Sequence, residues 1–257
     1  MEFRVQDLGF SYGAYDHHST LFSNISFSLF DGDILTILGP NGVGKTTLAK
    51  CLLGMQNGYQ GDILIDETSI KSLSIKERAK LMGFAMVSTY EHIELTVLDY
   101  VCLGTAATLS LLSSPSSDQY QQAAQLCTTH GIGHLINRKM STLSQGEQQL
   151  ASLVRILVQN PRIILLDEPT ASLDLKNQRQ FLTVLQNLGK KGKIVIQISH
   201  DPNHVLLLGG KALLLSKDVT MFGMTENIVN KATLSMLYGT NLTILYNKDS
   251  RAVAFSD

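Results

Sequence analysis

Gly39-Pro40-Asn41-Gly42-Val43-Gly44-Lys45-Thr46-Thr47 is the stretch that decides the fold. A glycine, four residues, then Gly-Lys and a hydroxyl residue is the spacing of a loop that wraps a phosphate. Just before it, Ile34–Leu38 is an unbroken apolar run that reads as a buried strand. Just after it, Thr47–Leu53 places Leu48, Cys51 and Leu52 on one helical face. A strand, a glycine-rich turn and a helix N-terminus aim backbone N–H groups and the positive end of the helix dipole at one point. An anion fits there. Gly42 and Gly44 let the backbone close around it, Lys45 can reach β- and γ-phosphates, and the Thr46 hydroxyl can ligate Mg²⁺.

The rest of the composition narrows what surrounds this loop. At 257 residues the chain can form one domain, or one domain with an inserted lobe. Charged residues make up 17% and the net charge is −1, so electrostatics supply no reason to expect nucleic acid or an acidic partner. Cys51, Cys102 and Cys127 show neither paired nor metal-ligand spacing and read as small core residues in a reducing compartment. The N-terminal Met1–Asp7 lacks a signal peptide's apolar segment, and the runs Val205–Leu208 and Ala212–Leu215 are too short to span a bilayer. Any membrane role is expected to be peripheral.

Moving outward, Phe3 to Phe30 reads as an antiparallel lead-in of strands with a turn at Asp31-Gly32-Asp33. Within it Tyr12 could offer an aromatic face to a base, or could be an ordinary sheet tyrosine. Gly61–Asp66 and Gly83–Val87 read as strands, with a capping box at Ser74–Glu77 between them. From about 88 to 160 the pattern is helical. Asp118–His130 puts Tyr120, Ala123, Ala124 and Cys127 on one face before a Gly131 stop, and the polar run 113–117 is a loop. The core resumes at Arg162–Glu168. A helix follows, N-capped by Asp174 and running to Gly189, and then a strand, Ile194–Ser199, that ends at His200. Beyond lie a helix near 203–208, strands near 212–215 and 219–222, and a tail in which 243–246 and 252–255 can pair as a hairpin.

Asp167 and Glu168 close an apolar strand, the place where ligands bind in a doubly wound sheet. Asp167 is suited to completing Mg²⁺ coordination opposite Thr46, and Glu168 to polarising a water for in-line attack on a γ-phosphate. Leu143-Ser144-Gln145-Gly146-Glu147-Gln148-Gln149 is a helix start with Ser144 as N-cap and Glu147 three residues on, and also a second anion-binding terminus.

Taken in order, the phosphate loop, Leu143–Gln149, Leu165–Thr170, Ser172-Leu173-Asp174 and Ser199-His200 resemble the nucleotide-binding subunit of an ABC transporter, from about Phe3 to Gly239. The resemblance implies an α/β fold: a P-loop NTPase core with an antiparallel β lead-in and an inserted α-helical lobe, the ABC ATPase fold. It implies one domain over 1–239, with core about 1–87 and 159–225, helical lobe about 88–158, and a tail at 240–257. ATP and Mg²⁺ are the implied ligands. Gly39, Pro40, Asn41, Gly42, Val43, Gly44, Lys45, Thr46 and Thr47 match the ATP-binding loop, and Tyr12 matches the adenine-stacking aromatic. Ser144, Gln145, Gly146 and Glu147 match the signature motif that contacts ATP held by a second copy. Asp174 matches the dimer-contact loop, Glu168 the general base, and His200 the switch histidine beside the γ-phosphate.

One position departs from the pattern. The family carries a glutamine where this chain has Val87, followed by Ser88-Thr89-Tyr90-Glu91, and an apolar side chain cannot ligate a metal. Residues 167–178 and 199–204 are similar to those of importers of iron-siderophores, haem and cobalamin, with molybdate and tungstate systems related. On this resemblance the partners are a second copy of the chain, two permease subunits and, indirectly, a substrate-binding protein, with no nucleic acid. The place is the cytoplasmic face of the inner or cell membrane. The alternatives are a soluble non-transport ABC-type ATPase and a P-loop kinase.

Overall fold

The computed structural model describes residues 1–12, 20–86, 93–107, 109, 113–171, 173–217, 219–247 and 250–256. Val87 to Glu91, where the glutamine is replaced, lie outside the described residues, as does Ser172. The chain forms two compact units, 1–73 with 182–257, and 74–181.

The first unit opens with β1 (Glu2–Ser11) and β2 (Thr20–Phe30), antiparallel, with Phe3 opposite Leu29 and Val5 opposite Phe27. Their shared apolar face buries Phe3, Val5, Leu8, Phe27 and Leu29. The turn at Gly32 (φ 93) feeds β3 (Ile34–Leu38), and the phosphate loop leads into α1 (Lys45–Leu52), which buries Leu48, Cys51 and Leu52. β4 (Gln60–Ile65) returns antiparallel to β1, and β5 (Thr68–Ser69) completes a sheet of order β2-β1-β4-β5.

The second unit begins with α2 (Ile75–Leu81), started by the Ser74–Glu77 capping box, and β6 (Met82–Met86). Three helices follow: α3 (Val97–Cys102) capped by Thr96, α4 (Ser117–Thr129) capped by Ser116, and α5 (Gln145–Gln159) capped by Ser144. Val97, Tyr100, Ala123, Cys127, Ala151 and Val154 share one core. β7 (Ile163–Asp167), buried at every residue, runs parallel to β6, with Met82 opposite Ile163 and Met86 opposite Asp167. The unit takes in this strand pair because α5 is tied to it: Arg155 donates to the Phe84 carbonyl at 3.0 Å and Gln159 to the Met82 carbonyl at 2.8 Å.

After α6 (Leu175–Lys190) come β8 (Ile194–Ser199), α7 (Pro202–Leu208), β9 (Lys211–Leu215) and β10 (Thr220–Met224). The chain ends in α8 (Thr225–Ile228), α9 (Lys231–Tyr238) and the antiparallel pair β11 (Leu242–Asn247) and β12 (Ser250–Phe255). β3 lies between β8 and β9, parallel to both, and β10 pairs antiparallel to β9. Buried on both faces, β3, β8 and β9 read as near-continuous apolar runs, as is usual for parallel strands. Leu38 pairs with Ser199, so Gly39 and His200 leave the sheet from adjacent strand ends, the carboxyl edge where α/β sheets hold ligands. Helices α8 and α9 are additions to the sequence reading.

The three cysteines are free and buried, and burial pushes each thiol up to about 11. At neutral pH they are packing groups, with almost no thiolate to react.

Candidate functional site: a phosphate loop and its companions

In the first unit the phosphate loop needs glycine for two separate reasons. A Cβ on Gly39 would stand 2.0 Å from the Leu215 carbonyl oxygen at the end of β9, so no side chain fits. Gly44 precedes α1 at φ 103, a conformation that L side chains avoid. The loop also holds a nearly buried ammonium. Lys45 is 6% exposed, and its Nζ donates to the Gly39 carbonyl at 2.8 Å and the Pro40 carbonyl at 2.9 Å. Those contacts keep a charge satisfied that would otherwise be costly to bury, and they keep it inside the concavity formed by residues 39–45. A lysine ammonium is thus held against the loop at the N-terminus of α1, an end of a helix that favours anions.

Tyr12 lies beside this loop. Its hydroxyl is 2.9 Å from the Thr47 Oγ1, and its ring meets the edge of Phe10 at 4.9 Å. The ring is 57% exposed, so its face is available to a planar group rather than committed to a core. Thr46, the neighbour of Lys45, is half-buried at the first turn of α1.

At the adjacent strand end His200 is exposed. Its backbone is fixed on several sides. The Asp201 N–H donates to Ser199 Oγ at 3.0 Å, which also lies 2.9 Å from Nδ1 of the buried His204. Asp201 caps α7 by accepting the Asn203 N–H at 2.8 Å. Tyr238 donates its hydroxyl proton to the His200 carbonyl at 2.7 Å.

The second unit brings together the two carboxylates, the Asp174 loop and the start of α5. Asp167 closes β7 and is 5% exposed. Glu168 follows at φ 52, the left-handed region, where a residue with a Cβ is uncommon and strained. The loop that imposes this conformation is braced by Gln178, whose Nε2 donates to the carbonyls of Thr170 at 3.3 Å and Leu173 at 3.0 Å. Asp174 caps α6, its Oδ1 accepting the Asn177 N–H at 2.7 Å. Leu173 in turn reaches α5, because a Cβ on Gly146 would sit 3.1 Å from its Cδ2.

At the start of α5 the Ser144 N–H and hydroxyl donate to Glu147 Oε2 at 2.8 and 2.9 Å, and Ser144 Oγ accepts the Glu147 N–H at 3.3 Å. Burial works to raise the Glu147 carboxyl, but the bonds from Ser144 and the charges of Arg138 and His134 outweigh it and hold the group below its ordinary range. Gln145 sits in the same first turn.

Among the described residues no group of three or more His, Cys, Asp or Glu is gathered to hold a metal. The Thr46 hydroxyl in the first unit and the nearly buried Asp167 carboxylate in the second are each hard oxygen donors of the kind that Mg²⁺ takes. Tyr238 and the bracing role of Gln178 stand outside the site residues expected from the sequence. The one signal for the helix bearing Tyr238 is the polar pair Asn230 and Thr233 ahead of Leu234, Leu237 and Gly239, which the structure shows as a capping box, two buried leucines and a left-handed stop.

Comparison with known proteins identifies the family. The profile of the ABC transporter family matches residues 22–171. A molybdate import ATP-binding protein of Haemophilus influenzae is 35% identical over 91% of this chain and 87% of its own. A Helicobacter pylori protein described as an iron chelatin transport ATP-binding protein is 34% identical over 98% of this chain and 99% of its own. A solved ABC transporter described as of metal-chelate type, in an inward-facing conformation, is 32% identical and superposes with a TM-score of 0.84, covering 99% of this chain and 96% of that one. An ATP-binding cassette in its ADP conformation, 22% identical, shares the fold at a TM-score of 0.79 over 92% of this chain and 97% of its own. Among the described residues no helix is long and apolar enough to cross a membrane. The phosphate loop built on β3 and the near end-to-end match to such subunits make this chain an ATPase of the ABC transporter family.

Proposed function

We propose that the chain is the ATP-hydrolysing motor of a binding-protein-dependent importer for a metal chelate, such as an iron-siderophore, haem or cobalamin, or for molybdate or tungstate. The observation that carries this reading is the near full-length similarity to subunits named for molybdate import and iron chelatin transport, together with the metal-chelate-type transporter. These relatives favour transport over a soluble non-transport ATPase.

On this reading Tyr12 stacks on adenine, and residues 39–47 wrap the phosphates with their N–H groups. Lys45 exchanges carbonyl contacts for charge-assisted bonds to the β- and γ-phosphates. Thr46 and Asp167 hold Mg²⁺, which when bound neutralises phosphate charge. Glu168 accepts a proton from the attacking water as its oxygen bonds to the γ-phosphorus and the bond to the bridging oxygen breaks. His200 bonds the γ-phosphate and orients that water. Ser144, Gln145, Gly146 and Glu147 of a second copy contact the same nucleotide, and Asp174 lies at the contact between copies. ATP binding closes this homodimer and hydrolysis reopens it, moving two permease subunits at the cytoplasmic face of the membrane. A substrate-binding protein delivers the solute.

Uptake of radiolabelled iron chelates, haem, cobalamin and molybdate by cells lacking the chain tests the reading. Uptake of one of them should fail, return with the parental chain, and stay absent with Glu168→Gln. Parental uptake of all of them in the deletion strain would overturn it.

A further inference from the structure

We infer that the C-terminal α9 and hairpin form a positioning element for His200, with Tyr238 as the residue that fixes it. This rests on the reading that His200 faces the γ-phosphate. The strand end at Ser199, paired with Leu38, holds the His200 segment on one side. On the other side the tail supplies two further anchors. The Tyr238 hydroxyl donates to the His200 carbonyl at 2.7 Å, and the Val253 N–H of β12 donates to Asn203 Oδ1 at 2.8 Å. Asn203 is itself tied to Asp201 through Nδ2 at 3.0 Å, so the tail holds the loop at both of its ends.

The direction of these bonds is the argument. Apolar packing already seats the tail, since Leu237, Leu242 and Ile244 are buried with Leu38 and Val205 in one cluster. Both polar bonds reach from the tail to the segment after β8, one to His200 and one to Asn203. Tyr238 packs against the same cluster, which gives its hydroxyl a rigid mount. Fixing a carbonyl oxygen fixes the peptide plane that follows the Cα, and so restrains ψ of His200 and the direction in which its Cα–Cβ bond leaves the backbone. A cavity of about 350 Å³, lined by Pro202, Asn203, Tyr238, Leu242, Val253 and Phe255 among others, lies beside the bond. The hydroxyl is therefore not held there by crowding. Tyr238 acts through His200 and touches no nucleotide.

The test is Tyr238→Phe, which keeps the ring and its packing and removes only the hydroxyl. Losing one net hydrogen bond's worth of orientation should lower kcat roughly fivefold, with the KM for ATP and the Tm at parental values. A parental kcat overturns the inference, and so does a fall in kcat that comes with a matching rise in KM or a fall in Tm, as a merely structural role would give. His200→Ala, assayed alongside, separates the two ideas. If it cripples hydrolysis while Tyr238→Phe does not, only the inference falls. If His200→Ala turns over at the parental rate, the assignment of His200 falls and takes the inference with it.

Discussion

Lys45 meets carbonyl oxygens in the phosphate loop, at 2.8 and 2.9 Å, and a phosphate is the better partner for the same ammonium because it carries full charge. Lys45→Ala exchanges charge-assisted bonds to phosphate for none, a net loss on the order of one such bond, about 1.5–3 kcal/mol, so the dissociation constant for ATP should rise by roughly one to two orders of magnitude. A fluorescent-nucleotide titration reads this directly, and unchanged affinity would remove the loop from the site. On the proposed mechanism Glu168 should behave differently, since it acts on the attacking water rather than on the bound nucleotide. Its φ of 52 is imposed by the braced loop, and glutamine, being nearly isosteric, keeps that conformation while losing the basic oxygen. Glu168→Gln should bind ATP as the parent does and lose at least about a hundredfold in turnover. Steady-state hydrolysis at the parental rate would show that another group takes the proton.

At the start of α5 the proposed contact with nucleotide would call on atoms that already cap the helix. The Ser144 hydroxyl and N–H are engaged with Glu147, so contact with a partner's nucleotide requires the hydroxyl to turn away from the cap. Ser144→Ala should therefore cost about 1 kcal/mol of stability through the lost cap, seen as a lower Tm, while hydrolysis falls by much more than that loss explains. Glu147 adds a pH signature. Its folded-state carboxyl lies below the ordinary value, so its contribution is complete above about 4.3 and is lost as the pH falls through the lowered value. The Tm advantage of the parent over Glu147→Gln, measured at about pH 7, should shrink to nothing in acid, because glutamine caps equally well without charge. An advantage that persists in acid would mean that the charge plays no part. Elements of this kind were legible in the sequence because their signals are local: capping boxes at Ser74 and Ser144, apolar runs at Ile34–Leu38 and Ile194–Ser199, and the glycine pattern of residues 39–44. What escaped depends on contacts distant in the chain. Helix α9 has two buried leucines in eight residues, too weak a period to read. The bond from Tyr238 to His200 joins residues 38 apart, and the Tyr12–Thr47 contact joins residues 35 apart, separations that no sequence window spans.

For the whole molecule, the decisive property is that each chain carries one phosphate loop and one Ser144 helix start, in different compact units. If the Ser144 segment acts on nucleotide held by a second copy, the competent species is a pair, and a head-to-tail pair closes on itself with two equivalent sites. Hydrolysis by the isolated subunit is then second order in protein at low concentration. Specific activity should fall as the protein is diluted below the dissociation constant of the ATP-bound pair, and it should level off above it. Glu168→Gln with ATP should elute as a dimer in size-exclusion chromatography and as a monomer without nucleotide, because the step that reopens the pair has been removed. Assembly with permeases changes the arithmetic, since two subunits held on one membrane complex meet at an effective concentration set by the scaffold and not by the solution. The purified transporter should therefore keep a constant specific activity over a dilution series in which the isolated subunit loses most of its own. If the isolated subunit also held a constant specific activity while running as a monomer, the site would be complete within one chain, and Ser144 and Gly146 would have to be explained as helix capping and packing alone.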